Sequence, residues 1–345
     1  MNVLLTGAFG NVGRSALQEL LIDGHTVRCF DLRTKANQRV ARRLKRRFAR
    51  LPGRMEVVWG DLRRARDLAL AVRDQDVVVH LAFIIPKLST TGFESERRPN
   101  WAREINVGGT RNVIRAIRSL PRPPKLLFAS SYHIYGQTQD QPPPRTLADS
   151  LSPIEHYAHH KVACEKLVRT SGLQWAIFRL AAALPLDMKL DPGMFDIPLN
   201  NRMEFVHTRD VGRAIANAID HPDIWRRTLL IGGGARCQYC YREITEQVLA
   251  GLGVGMLPEE SFGTTPFPTD WLDTAQSQAL LRFQQRDLGD YVQDMRRLLG
   301  FKRFFVWLLR PLVRHWLLKR SPHWREWRRH RISVRVQDLN ATGAA

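Results

Sequence analysis

Tyr157 and Lys161 stand four residues apart in Tyr157-Ala158-His159-His160-Lys161, a spacing that places a phenol and an ammonium on one side of a helix. There the Lys161 charge would favour the Tyr157 phenolate. A phenol that ionises near pH ~10 needs about 4 kcal/mol of differential stabilisation to become a base near neutrality. Tyr and Lys at this spacing also occur on ordinary solvated helices. The pair takes its meaning from a second motif near the start of the chain, Thr6-Gly7-Ala8-Phe9-Gly10-Asn11-Val12-Gly13.

The apolar run Asn2-Val3-Leu4-Leu5 precedes these glycines, and an amphipathic stretch from Ser15 to Leu21 follows them. Strand, glycine turn and helix in that order present a helix amino terminus to a pyrophosphate and let the backbone approach it closely. A second strand, Thr26-Val27-Arg28-Cys29-Phe30, ends in Asp31. A carboxylate about 20 residues past the glycines can accept the adenosine ribose hydroxyls and would repel a 2′-phosphate. NAD is therefore expected in preference to NADP, although Arg28, Arg33 and Lys35 crowd the same corner. Phenol, ammonium and dinucleotide together point to redox chemistry, with the oxidised nicotinamide adding its charge to that of Lys161 in favour of the phenolate.

Further motifs follow in order: Gly60-Asp61-Leu62, His80-Leu81-Ala82, Asn106-Val107-Gly108-Gly109-Thr110-Arg111-Asn112, Ala129-Ser130-Ser131-Tyr132-His133-Ile134-Tyr135-Gly136, Phe205-Val206-His207-Thr208-Arg209-Asp210-Val211 and Leu230-Ile231-Gly232-Gly233-Gly234. With the G-x-x-G-x-x-G loop, this series resembles the extended short-chain dehydrogenase/reductases, the NAD-dependent epimerase/dehydratase superfamily, over roughly residues 1 to 290. The resemblance implies a catalytic triad of Ser131, Tyr157 and Lys161. It implies cofactor contacts from Gly7, Phe9, Gly10, Asn11, Gly13 and Asp31, from Asp61 and Leu62 at the adenine, and from Leu81 and Ala82 at the end of the fourth strand. Tyr157 and Lys161 complete that cofactor set, with Asn106, at a helix start, in support.

The elements that must position these residues are legible too. Near-continuous apolar runs at 56–59, 76–81, 125–129 and 175–179 alternate with helical periodicity from Arg103 to Ile117 and from His156 to Arg169. Such alternation implies a Rossmann-type α/β fold, a doubly wound parallel sheet covered on both faces. At 345 residues with 44% hydrophobic content, the chain can hold one large domain and a smaller lobe. The expected division is an NAD-binding core over 1–180, a substrate lobe over 181–295 with returning core elements at 205–234, and a basic helical tail over 296–345. The loop Pro142-Pro143-Pro144, between Ser131 and Tyr157, reads equally as an active-site rim or as plain surface.

Cys29, Cys164, Cys237 and Cys240 do not form a disulfide framework, and the lone C-x-x-C at 237–240 lacks a second ligand pair. No metal is expected, His156, His159 and His160 included. A strand beginning at residue 2 leaves no room for a signal peptide, so a reducing, cytoplasmic setting is expected.

The formal net charge of +20 concentrates between Arg33 and Arg54 and again beyond Lys302. In the second cluster, Phe304, Trp307, Leu308 and Trp316 fall broadly opposite Arg303, Arg310 and Arg314 when wound as a helix, and Pro311 kinks or restarts it. Two readings stand side by side. The tail at 301–331 lies in an anionic membrane interface with arginines on phosphates, making the protein peripheral to a membrane. Otherwise it packs its apolar face on the body or on a second subunit, as in a homodimer, and exposes the arginines. Nucleic acid is the weakest reading, since no recognised binding module accompanies the charge.

The implied reaction is hydride and proton transfer at a secondary alcohol or ketone of a small-molecule substrate. Tyr132-His133 replaces the Asp-Glu pair that nucleotide-sugar dehydratases carry after the serine position. Arg179-Leu180-Ala181-Ala182 lacks the proline and asparagine of the epimerase R-P-x-N segment. A sugar derivative and a lipophilic, sterol-like alcohol both stay open. So does a non-catalytic NAD-binding regulatory or structural role, which the complete triad disfavours.

Overall fold

The computed structural model describes residues 1–86, 95–186 and 192–331. Seven strands, β1 (Asn2–Thr6), β2 (Thr26–Asp31), β3 (Arg54–Trp59), β4 (Val77–His80), β5 (Lys125–Ser131), β6 (Trp175–Leu180) and β8 (Arg227–Ile231), form one sheet in the order β3-β2-β1-β4-β5-β6-β8. Every neighbouring pair is parallel. The short strands β7 (Arg202–Glu204) and β9 (Gln238–Cys240) lie outside it. The order reverses between β1 and β4, which opens a crevice at the carboxyl ends of those strands.

Side chains alternate faces along each strand, and both faces are buried. Val3, Leu5, Val79, Leu127 and Phe178 pack on one side with the helices Asn11–Ile22 and Thr208–Ile219, while Leu4, Val78, Leu126, Phe128 and Ile177 pack on the other with Ile117, Cys164 and Val168. Each fully buried Leu, Val or Phe contributes about 1.5–3 kcal/mol of transfer free energy. The first and the Thr208–Ile219 helices approach so closely that a Cβ on Gly212 would lie 2.6 Å from the Ser15 carbonyl oxygen. Asp210, fully buried, pins that element by accepting from the backbone N–H groups of Gln285 and Arg286 and from the Arg286 guanidinium.

Asn106 does not open a helix as expected. The helix begins at Pro99–Arg103, passes through a π-helical turn at Glu104–Gly108 and continues as Gly109–Arg118. Such a turn inserts one extra residue and loosens the backbone ladder. Here the Asn106 carbonyl accepts from the Gly109 N–H and also from the Thr110 hydroxyl at 2.6 Å.

The chain forms two compact units. Among the described residues, one comprises Met1–Pro185, Met203–Gln238 and Pro268–Asp287; the other comprises Leu186–Arg202, Tyr239–Phe267 and 288–331. In the second unit the helix Tyr241–Gly251 packs against Leu288–Leu299, and Phe262 bridges Phe195 and Tyr241.

The basic segment belongs to this second unit and is oriented opposite to the packed reading. Its helices Lys302–Leu308 and Arg310–Leu318 restart at Pro311, with a further helical stretch at 322–331. Arg303 donates to the Gly251 carbonyl, Arg310 to that of Val254, and Arg314 to those of Val254, Gly255 and Met256. The carbonyls at and beyond the end of the Tyr241–Gly251 helix lack intrahelical donors, so guanidiniums are their natural partners. The arginines thus face the unit, and Phe304, Trp307, Leu308 and Trp316 are exposed. Arg303 and Arg310 stay exposed while making these bonds, and Arg314 is half-buried.

Candidate active site

The glycine loop sits where β1 meets the first helix. Gly7 has φ +68°, and a Cβ there would lie 2.8 Å from the Ala82 backbone. A Cβ on Gly13 would overlap the Gly7 carbonyl oxygen at 2.1 Å. These positions need glycine to let helix and strand close. Gly10 is the N-cap of Asn11–Ile22; it provides no capping side chain, and no acidic residue occupies the first turn. A helix amino terminus left in this state suits a diphosphate.

Asp31 ends β2 beside this loop. Its carboxylate accepts from the Phe9 N–H at 3.1 Å, the Leu32 N–H at 2.8 Å and the Asn37 amide at 3.0 Å, while burial pushes its pKa up. Arg28 is turned away, donating to the Ala71 and Arg73 carbonyls with Glu56 at 3.6 Å. Of the expected adenine contacts, Leu62 is buried, whereas Asp61 is held by Arg63 through both carboxylate oxygens. Asn11 reaches the Ala183 carbonyl at 2.9 Å.

The segment after β4 is fixed by one polar chain. The Ala82 N–H donates to the Thr6 hydroxyl, His80 Nδ1 lies 2.7 Å from Thr6 Oγ1, His80 Nε2 lies 3.1 Å from Thr110 Oγ1, and Thr110 donates to Asn106. Since the Thr110 proton is committed, the donors run in one direction and His80 carries its proton on Nε2. Burial and the nearby Lys161 push the His80 pKa down to about 3, so the ring is neutral. Leu81 continues this segment, its N–H donating to the Thr6 carbonyl. Asn106 holds the next turn of chain, accepting from the Ile84 N–H at 2.7 Å and donating to the Ile84 carbonyl at 3.0 Å. His160, also pushed down by burial, to about 4, places Nδ1 3.3 Å from the same amide.

Ser131, Tyr157 and Lys161 come together here. Ser131 ends β5 at the Tyr157 phenol, close enough to favour its ionised form. One helical turn on, Lys161 donates to the Ala129 carbonyl at 2.5 Å and lies 5.6 Å from the Tyr157 ring centroid. Its ammonium is 3.5 Å from the Phe83 ring centroid and 4.9 Å from that of Phe128. Burial opposes both charged forms, lowering the Lys161 pKa to about 7 and raising that of Tyr157 well above its ordinary value. Among the described residues, Ala129 is the one acceptor for the three ammonium protons. A buried donor with two protons to spare fits a ribose diol, and with the open helix terminus and Asp31 this set of residues fits NAD.

Three further residues shape the site. Glu155 is the N-cap of the Tyr157 helix, His156–Arg169, yet makes no capping bond. Its carboxylate lies 2.7 Å from His133 Nδ1, and the His133 ring meets Tyr157 edge-on at 5.8 Å. Glu96 takes over the cap, accepting from the His156 N–H at 3.0 Å and the Tyr157 N–H at 2.9 Å. Sequence could have suggested His133 and Glu155, which stand two residues after Ser131 and two before Tyr157. It offers no signal for Glu96, some 61 positions from Tyr157.

Residues 3–185, more than half of the chain, match the family described as NAD dependent epimerase/dehydratase. The chain is 30% identical over 172 residues to UDP-glucose 4-epimerase 3 of Oryza sativa subsp. japonica, covering 49% of this chain and 44% of that protein. It is 30% identical over 168 residues to the 3-beta-hydroxysteroid dehydrogenase of Mycolicibacterium neoaurum, covering 48% and 42%. The match thus spans about half the length of these curated relatives. Among solved structures, the fold is similar to that of a UDP-glucose-4-epimerase from Stenotrophomonas maltophila, with TM-score 0.70, 21% identity and coverage of 86% of this chain and 97% of that one. It is also similar to a dTDP-glucose 4,6-dehydratase double mutant from Streptomyces venezuelae, with TM-score 0.71, 24% identity and coverage of 88% and 98%. The glycine-loop Rossmann sheet and the family match over residues 3–185 agree, and the chain belongs to the NAD-dependent epimerase/dehydratase family.

Proposed function

We propose that this chain interconverts a secondary alcohol and a ketone through Ser131, Tyr157 and Lys161. The observation that carries the reading is the convergence of Ser131 on the Tyr157 phenol, where it opposes the rise in pKa that burial causes, with the Lys161 ammonium 5.6 Å from the Tyr157 ring centroid. Ser131 holds the substrate oxygen, and Tyr157 takes the hydroxyl proton as the carbonyl forms. Bound NAD would supply the hydride acceptor and a positive charge near the phenol. Lys161 would grip the nicotinamide ribose with the protons that Ala129 leaves free, Asp31 the adenosine ribose, and the loop around Gly7, Gly10 and Gly13 the diphosphate. The balanced net change is alcohol plus NAD⁺ to ketone, NADH and a proton.

Two substrate classes have support. Relatives named UDP-glucose 4-epimerase favour a sugar nucleotide with no net redox change. Ala182 supplies no side-chain amide for a diphosphate, and the apolar run Phe83-Ile84-Ile85 follows the strand end at the site, with Ile85 exposed; both favour a lipophilic alcohol. The test is NADH formation, followed by absorbance, with sterol-like secondary alcohols, beside isomer analysis of UDP-glucose and UDP-galactose. NADH formation with a sterol-like alcohol supports the second class, and interconversion of the UDP-sugars the first. Turnover of either that survives Tyr157→Phe would reject the mechanism.

A further inference from the structure

The second unit turns an aromatic surface outward and fixes it there. Arg303, Arg310 and Arg314 are tied to the carbonyls of residues 251–256, Leu317 is buried, and Ser321 donates to the Ser261 carbonyl at 2.6 Å. These anchors set the rotation of the helices Lys302–Leu308 and Arg310–Leu318. Their remaining faces expose Phe301 (76%), Phe304, Phe305, Trp307, Leu312 (66%) and Trp316. Single exposed apolar residues are ordinary, but a contiguous run of this size marks an interaction surface.

Its surroundings select the partner. Lys302, Lys319, Arg320, Arg325, Arg328, Arg329 and Arg331 are all exposed, and Glu326 is the one acidic residue between 302 and 331. A second copy meeting this face about a two-fold axis would set the basic residues against themselves, which is repulsive. Helices of 7 and 9 residues are too short to cross a bilayer, and among the described residues no helix is long and apolar enough to do so. Aromatic side chains with a basic surround match the boundary between acyl chains and anionic headgroups.

We propose that residues 301–331 form an interfacial anchor that lays Phe304, Trp307, Leu312 and Trp316 into an anionic lipid surface while the exposed lysines and arginines meet its headgroups. This differs from an ordinary amphipathic tail: the arginines at 303, 310 and 314 hold the helices to their own unit, and the later basic residues do the electrostatic work.

The test is flotation of the full chain with phosphatidylcholine vesicles and with vesicles that also contain phosphatidylglycerol. Binding to the anionic vesicles should be at least about tenfold tighter and should fall with salt, since several basic side chains lie within a Debye length of the surface. The variant Phe304→Ser/Trp307→Ser/Leu312→Ser removes only exposed side chains, so it should lose vesicle binding while keeping its melting temperature and oligomeric state. Failure of the parent to float with anionic vesicles overturns the proposal, as does undiminished binding by the triple variant. Conversion of a dimer to monomer by that variant, without vesicle binding by the parent, would assign the face to a second copy. Retention of the parent on nucleic acid but not on vesicles would assign the charge elsewhere.

Discussion

His133 Nδ1 lies 2.7 Å from Glu155 Oε2, and this pair stands against the phenol it borders in sequence. The contact diverts Glu155 from the helix cap it occupies and leaves Glu96 to hold the Tyr157 backbone. His133→Phe keeps a ring beside Tyr157 and removes the pair. It is expected to lower kcat about tenfold with the NAD dissociation constant within about twofold of the parent. Steady-state kinetics and cofactor titration check this; a parental kcat would show the pair to be structural.

Glu96→Ala should cost about 1 kcal/mol in urea unfolding, the usual worth of a helix cap, and should lower kcat because the Tyr157 backbone loses its tether. Glu96→Gln, which retains one acceptor, should fall between. Equal kcat in all three proteins would separate the cap from the chemistry.

Lys161 is charged at low pH in a site that disfavours charge. Its folded pKa of about 7 lies below the free value of 10.5, so the folded chain sheds a proton that the unfolded chain retains between those values. The penalty is full below pH 7 and fades as pH rises toward 10.5. In cofactor-free protein, Lys161→Met should therefore raise the melting temperature by a few degrees (~2–4 °C per kcal/mol) at pH 6, with a smaller gain at pH 9. It should also weaken NAD binding. A lower melting temperature at pH 6 would contradict the sign.

Asp31 sets cofactor choice if its carboxylate excludes a 2′-phosphate. NAD(H) should bind at least about tenfold tighter than NADP(H), a difference of about 1.4 kcal/mol. Asp31→Ala should erode that gap and loosen the Phe9 N–H and Asn37 contacts. Calorimetric titration of both dinucleotides decides it; equal affinities in the parent would remove Asp31 from the assignment.

Glu165 and Arg179 form a buried bidentate pair, Nε to Oε1 at 3.0 Å and Nη2 to Oε2 at 2.9 Å, with Tyr135 on the remaining arm. Arg179→Met leaves the buried Glu165 carboxylate with Arg169 alone, whose Nη2 donates to Oε2 at 2.9 Å, and should cost about 2–3 kcal/mol, below the ~3–5 kcal/mol of a fully unpaired buried charge. The double change Glu165→Met/Arg179→Met should recover most of that loss in urea unfolding.

The sequence by itself determined the sheet and the order of its parts. Local apolar runs specify parallel strands, three glycines specify a turn, and four residues of helix bring Tyr157 and Lys161 to one side, because all of these depend on periodicity within a few residues. Even there Asn106 lay in a π-turn, a one-residue insertion that leaves no pattern in side-chain types. Tertiary structure alone decided which groups met across long separations. Glu96 on the Tyr157 helix, Phe83 on the Lys161 ammonium and His80 between Thr6 and Thr110 follow from packing geometry. The tail shows the limit most clearly. Helical winding separated its aromatic and basic sides correctly, but which side turned inward depended on carbonyls some 50 to 60 positions earlier. Those acceptors lacked helical donors, and Arg303, Arg310 and Arg314 satisfied them, leaving the aromatic face to solvent.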